Sequence, residues 1–178
     1  MKRHIATVLL AACVALPASA ALKPGDSAPA FTAPASLGGS VFTFSLTEAL
    51  KKGPVVLYFY PAAFTTGCTQ EAHDFAEAAD AYSALGATVI GVSHDDIDTL
   101  KKFSVSECRS KFPVAADTDE AVTKSYDAVL AIKPEYANRT SYVIAPDHSV
   151  LLAYTDLNPD QHVAQTMAAV KAWKAAHP

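Results

Sequence analysis

The sequence predicts an α/β fold, a mixed central β-sheet flanked by helices, in a single domain. Three observations carry that expectation. The runs "PVVLYFY" (54–60) and "ATVIGVS" (87–93) are almost continuously apolar, as strands buried on both faces are. Segments with helical apolar spacing alternate with them, and strand–helix alternation needs crossovers and hence parallel pairing. Late in the chain, "TSYVIAP" (140–146) and "VLLAYTDL" (150–157) flank a "DHS" turn and read as an antiparallel hairpin. A length of 178 residues with 51% hydrophobic content suits one domain with a real core.

The chain opens with a targeting segment. "MKRHIATVLLAACVALPASA" (1–20) joins a basic start (Lys2, Arg3), an apolar stretch from Ile5 to Leu16 and Ala18-Ser19-Ala20. These are the three regions of a secretory signal peptide. Cleavage after Ala20 is expected, leaving a domain over 21–178 in the bacterial periplasm. Leu10-Ala11-Ala12-Cys13 offers an alternative, a lipobox in which Cys13 carries lipid. Losing Lys2 and Arg3 from the 14 basic residues leaves 12 against 18 acidic, a net charge of −6. There is no basic stripe, so nucleic acid is not an expected partner. No other segment is long and apolar enough to insert in a membrane.

The remaining elements follow in order. Residues 21–40 are rich in Pro, Gly and Ser and read as an extended arm. "VFTFSL" (41–46) is strand-like, with Thr47 as cap of a short turn. The strand at 54–60 ends at Pro61, and a helical pattern runs from Thr66 to Leu85 before Gly86. After the 87–93 strand, residues 95–112 read as a helix capped near Asp96 or Asp98. "PVAAD" (113–117) is a short strand and 119–130 another helix. Residues 160–177 close the chain as a helix with Val163, Met167, Val170 and Trp173 along one face. This order, ending β-β-α, is a thioredoxin-like arrangement.

Two cysteines remain after the signal, Cys68 and Cys108. In an oxidising compartment the bland expectation is a structural disulfide. No C-x-x-C occurs, which argues against a thiol–disulfide exchange protein. Cys68 falls in the first turn of the 66–85 helix, where unpaired N–H groups favour negative charge on sulfur. Gly67 allows close backbone packing, Thr65 offers a hydroxyl three residues earlier, and Pro61 fixes the chain leaving the strand. Tyr60 reads as core or pocket wall. The histidines show no metal-ligand spacing, so His94, His148 and His162 are expected on the surface, and no metal is expected.

Pro61-x-x-x-Thr65-x-x-Cys68 resembles the active-site motif of the peroxiredoxins. "LKPGDSAPAF" (22–31), "PVVLYFYP" (54–61), "TVIGVSHDD" (88–96), "KFPVAADTDEAVTKSYDA" (111–128) and "RTSYVI" (139–144) resemble further segments of that family in the same order. The similarity is greatest to the bacterioferritin-comigratory-protein (PrxQ) subfamily. The resemblance implies a peroxidase whose peroxidatic nucleophile is Cys68. Thr65 would position the peroxide, and Arg139 would stabilise thiolate and developing charge. Glu71 matches the position that orients the arginine, or is a first-turn acid facing the helix dipole. No cofactor is implied.

A sulfenic acid formed on Cys68 needs a reductant. Many PrxQ-like proteins place a resolving cysteine five residues on, where this chain has His73. Others place it in the helix corresponding to 95–112, which makes Cys108 the candidate. Cys108 is expected to face inward there, either as resolving cysteine or as inert core. The partners implied are a hydroperoxide and a thioredoxin-like or small-thiol reductant, with the protein a monomer or weak dimer. The alternatives are a one-cysteine peroxidase with Cys108 structural, or a non-enzymatic redox sensor or holdase.

Overall fold

The central strand explains the rest of the architecture. In the computed structural model, which describes residues 22–178, Val55–Phe59 forms a strand with every residue buried. Its side chains alternate between faces. Val55, Leu57 and Phe59 enter one apolar cluster with Leu46, Leu50 and Tyr142. Val56, Tyr58 and then Tyr60 enter another with Phe75, Phe103, Cys68 and Cys108. The sequence run is continuously apolar because both faces are covered. The signal segment 1–20 and the lipobox cysteine Cys13 lie outside the described residues.

The elements are β1 (Thr32–Leu37), β2 (Ser40–Ser45), α1 (Leu46–Leu50), β3 (Val55–Phe59), α2 (Thr66–Ala84), β4 (Thr88–Ser93), α3 (Ile97–Ser106), β5 (Val114–Ala116), α4 (Ala121–Ser125), β6 (Thr140–Ile144), β7 (Val150–Thr155) and, after a 3-10 turn at Pro159–Gln161, α5 (His162–Ala176). The described strands form one sheet in the order β2-β1-β5-β4-β3-β6-β7. β3, β4 and β5 are parallel. β6 is antiparallel to β3, β7 to β6, and β1 to both β5 and β2. This is the mixed, helix-flanked, thioredoxin-like sheet that the sequence predicts. Among the described residues, no helix is long and apolar enough to cross a membrane.

Several elements differ from expectation for local reasons. The arm at 21–40 contains β1, which folds back on β2 through Gly38 and Gly39, both left-handed (φ 54° and 81°). Pro34 disguises this strand in the sequence. It lies outside the short pairing of Ala35 and Ser36 with β5, so its missing N–H breaks no bond there. The cap of α1 is Ser45, whose side chain accepts from Glu48 N, rather than Thr47. The helix expected over 119–130 shrinks to α4, bracketed by left-handed Glu120 (φ 58°) and Asp127 (φ 50°).

Two differences bear on function. The helix expected over 95–112 starts as predicted, with Asp96 accepting from Thr99 N, but stops at Ser106. Cys108 is buried as expected yet lies past the helix end. Its N–H bonds Phe103 O, and Arg109 and Ser110 then take left-handed φ values of 50° and 56°. In α5 the buried side consists of His162, Thr166 and Val170, with Val163, Met167 and Trp173 half-buried beside it. His162 is therefore not a surface residue. His94 and His148 are half-buried. Polar groups occupy the interior face of α5 because they find partners, as the Thr166 hydroxyl does at 2.7 Å from Tyr82 Oη.

Candidate active site

The site forms where β3 ends and α2 begins, at the carboxyl edge of the parallel strands, the usual site location in α/β sheets. The connecting loop is held by the neighbouring strand end. Asp95 accepts from Ala63 N (2.8 Å) and from Ser93 Oγ (2.8 Å), and His94 Nδ1 donates to Pro61 O (3.0 Å). Phe64 sits left-handed (φ 63°), half exposed, with its ring edge-on to Phe103 at 5.2 Å. Non-glycine residues seldom adopt that conformation, and it clusters at functional sites. Thr65 then occupies the N-cap position of α2, but its side chain does not cap. Its hydroxyl donates to Ala62 O instead (3.0 Å).

Cys68 is the third residue of α2 and is 1% exposed. Its sulfur accepts from Arg139 Nη2 at 3.5 Å. A fixed guanidinium thus meets a sulfur in the first turn of a helix, two features that each favour negative charge there. Arg139 lies just before β6 and is itself buried. Its Nε donates to Leu157 O (3.0 Å), and its own carbonyl accepts from Asp156 N (3.2 Å). Burial works against its charge, but Glu71 and Cys68 outweigh that and hold its pKa above the ordinary value. Gly67 makes the approach possible: a Cβ there would lie 3.1 Å from Arg139 Nη2.

Glu71 stands one turn along α2 from Cys68 and is fully buried. Its Oε2 is bound to Arg139 Nη1. It is therefore not an acid exposed at a helix start. Burial pushes the carboxyl up to about 8, with Arg139 opposing the shift. Tyr60 is fully buried, its ring stacked on Phe103 at 5.6 Å, so it forms the wall behind the site rather than its mouth. Burial raises the phenols of Tyr58 and Tyr60, and both lie near both cysteines.

Cys68 and Cys108 are free thiols, which departs from the structural disulfide of the bland reading. They share one aromatic cluster with Tyr58, Tyr60, Phe75, Phe103 and Phe112. His73, where a nearby resolving cysteine would stand, pairs with Glu107, the residue before Cys108 (2.8 Å). The structure thus brings Cys68, Arg139, Glu71 and Gly67 together, with Pro61 and Thr65 on the loop above. Sequence reasoning missed His94 and Asp95 as loop anchors, although "HDD" at the end of a buried strand was a usable signal. It also missed His162 and Ser141, for which nothing local pointed inward.

The family model described as the AhpC/TSA family matches residues 24–153. A Mycobacterium tuberculosis protein provisionally named as a peroxiredoxin is 33% identical over 150 residues, covering 81% of this chain and 92% of that one. The chloroplastic peroxiredoxin Q of Gentiana triflora is 32% identical over 149 residues, covering 83% and 66% respectively. Among solved structures, peroxidoxin BcpB from Mycobacterium tuberculosis superposes with a TM-score of 0.76 at 31% identity, covering 85% of this chain and 97% of that one.

Proposed function

Since the chain belongs to the AhpC/TSA family, within its PrxQ-like branch of thiol peroxidases, we propose that it reduces hydrogen peroxide and organic hydroperoxides through a sulfenic acid on Cys68. The observation that carries this reading is the Arg139 Nη2 contact to a cysteine sulfur seated in the first turn of a helix.

The Cys68 thiolate attacks the distal oxygen of the hydroperoxide. A sulfur–oxygen bond forms as the O–O bond breaks, sulfur is oxidised by two electrons, and the leaving alkoxide or hydroxide takes a proton from solvent. Arg139 stabilises charge first on sulfur and then on the leaving oxygen. Thr65 gives its own proton to Ala62 O, so its oxygen is free to accept the hydrogen bond of the incoming peroxide. Cys108 then attacks the sulfenic sulfur, releasing water and closing a Cys68–Cys108 disulfide. Burial raises the Cys108 thiol far above its ordinary range, with Glu107 adding to the shift. Cys108 must therefore leave its present packing to become a nucleophile. An external dithiol or small thiol restores both cysteines. The signal-like start supports export, which favours a periplasmic thioredoxin-like donor over a cytosolic one.

The test is peroxide turnover with a recycling thiol, followed by peptide mapping of the oxidised protein. Cys68→Ser abolishes turnover, and wild type yields a Cys68–Cys108 linkage. A sulfenic or overoxidised Cys68 without that linkage would replace the resolving role with a one-cysteine mechanism. Absence of peroxide turnover would leave a sensor or holdase.

A further inference from the structure

His162 opens α5 directly beneath the site, fully buried, and the mechanism above does not use it. Its ring is fixed at both nitrogens. Nε2 is 2.9 Å from Asp156 O, and a carbonyl only accepts, so Nε2 carries a proton. Nδ1 is 2.8 Å from Ser141 Oγ, which lies in β6 two residues beyond Arg139. Nδ1 is also 3.6 Å from Glu71 Oε1. That oxygen is fully buried and has no hydrogen-bond partner, while the other carboxylate oxygen holds Arg139. Half of a buried carboxyl is therefore unsatisfied, and it faces an imidazole nitrogen.

A neutral ring protonated at Nε2 has one lone pair, at Nδ1, for which the Ser141 hydroxyl at 2.8 Å and Glu71 Oε1 at 3.6 Å compete. A bare carboxylate oxygen beside that lone pair is unfavourable in a dry site. One proton between them removes the conflict. We propose that Glu71 and His162 hold one further proton between them, on the Oε1 and Nδ1 that face each other, so that Glu71 holds Arg139 through Oε2 without competing for its charge. The full positive charge of the guanidinium is then left to Cys68 and to the oxygen that leaves it. His162 is thus a positioning residue, acting through Glu71. The raised carboxyl of Glu71 and the depressed imidazole of His162 fit this sharing.

Of the other ionisable groups around the pair, Tyr58 is fully buried on β3 opposite Ser141, its hydroxyl has no partner, and burial, with Glu71 adding, holds its phenol protonated. Asp156 Oδ1 accepts from Asn158 N and its Oδ2 from Tyr154 Oη. Tyr154 meets the His162 ring edge-on at 4.9 Å. On α2, Asp74 accepts from Gln70, and Asp160 is exposed in the 3-10 turn.

The inference rests on the peroxidase reading, and its test is the pH profile of the peroxide reaction. As pH rises, the shared proton is lost, Glu71 becomes a competing carboxylate, and the rate falls. Glu71→Gln removes the group that titrates, so its profile loses the alkaline fall. His162→Gln removes the Nδ1 acceptor and moves the fall roughly one pH unit lower, because the neutral carboxyl loses its hydrogen-bond partner. Ser141→Ala frees Nδ1 for Glu71 and moves it the opposite way, which keeps the test open if the His162 variant fails to fold. Infrared spectra give a readout without turnover: wild type at neutral pH shows a protonated-carboxyl stretch that Glu71→Gln removes. The proposal is overturned if that band is missing, if the alkaline fall stays put in both His162→Gln and Ser141→Ala, or if Glu71→Gln keeps the alkaline fall.

Discussion

Cys68 and Cys108 are buried to the same degree, 1% and 0% exposed, in the same aromatic cluster, and their surroundings differ in one respect. Cys68 has a buried cation against its sulfur and sits in the first turn of a helix. Cys108 has aromatic walls, and the nearest charge that acts on it is the negative one of Glu107. Burial alone opposes ionisation of a thiol. The difference teaches that the site is defined by where the charge is placed, not by where the cysteine is hidden. It also separates two kinds of attachment. Cys68 is held by buried, hydrogen-bonded groups, while the chain around Cys108 is held by ion pairs that reach the surface.

The contrast is broken most severely by removing the cation. Arg139→Ala should slow the first reaction of reduced protein with peroxide by about a hundred- to a thousandfold, the range found when one charge-stabilising donor is deleted. Arg139→Lys should recover only part of that, because a point charge cannot bind Glu71, Leu157 O and sulfur together. Stopped-flow measurement of the single oxidation step decides it. A rate within a few-fold of wild type in the alanine variant would show that charge is not what distinguishes Cys68.

A milder change tests placement at constant charge. Gly67→Ala puts a methyl group 3.1 Å from Arg139 Nη2, so the guanidinium must yield by a few tenths of an ångström. An ångström of misplacement can remove about a hundredfold in rate, so a loss of roughly tenfold is expected. The glycine is not left-handed, and the folded state should tolerate the substitution. A drop in melting temperature without a drop in rate would mean that Gly67 serves packing rather than access of Arg139.

These two residues also mark how far the site was legible from sequence. Cys68, Thr65 and Gly67 are adjacent in the chain, and a helix start after a buried strand can be read locally. Arg139 arrives from a strand 71 residues away, and only the family resemblance pointed to it. His162 was unreadable for a physical reason. A lone histidine at a helix start reads as exposed, and its burial depends on partners from three other places, Ser141, Asp156 and Glu71. The end of α3 was misread similarly. Nothing in "SVSECRS" signals a stop, and the turn is made by left-handed Arg109 and Ser110 where a glycine would be the usual sign. The sheet was far more legible because double-sided burial leaves continuous apolar runs, and β1 escaped only through Pro34.

The smallest expected effect lies on the Cys108 side of the comparison. Glu107, Arg109 and Lys111 pair with His73, Glu77 and Asp80, which follow one another along one side of α2. They lace the segment carrying Cys108 to the helix that starts with Cys68. The Arg109–Glu77 and Lys111–Asp80 pairs are exposed, and such pairs are each worth under about 1 kcal/mol and are screened by salt. The double variant Glu77→Gln, Asp80→Asn should therefore leave global stability almost unchanged. It should nonetheless hasten disulfide closure after a single peroxide addition, by roughly two- to fivefold, because release of this segment is what closure requires. The peroxide step itself should not move, since neither pair touches Cys68 or Arg139. Raising the ionic strength should hasten closure in wild type and do little in the variant. If closure is equally fast in both proteins at low salt, the ion pairs do not hold Cys108 back, and aromatic packing alone sets the pace.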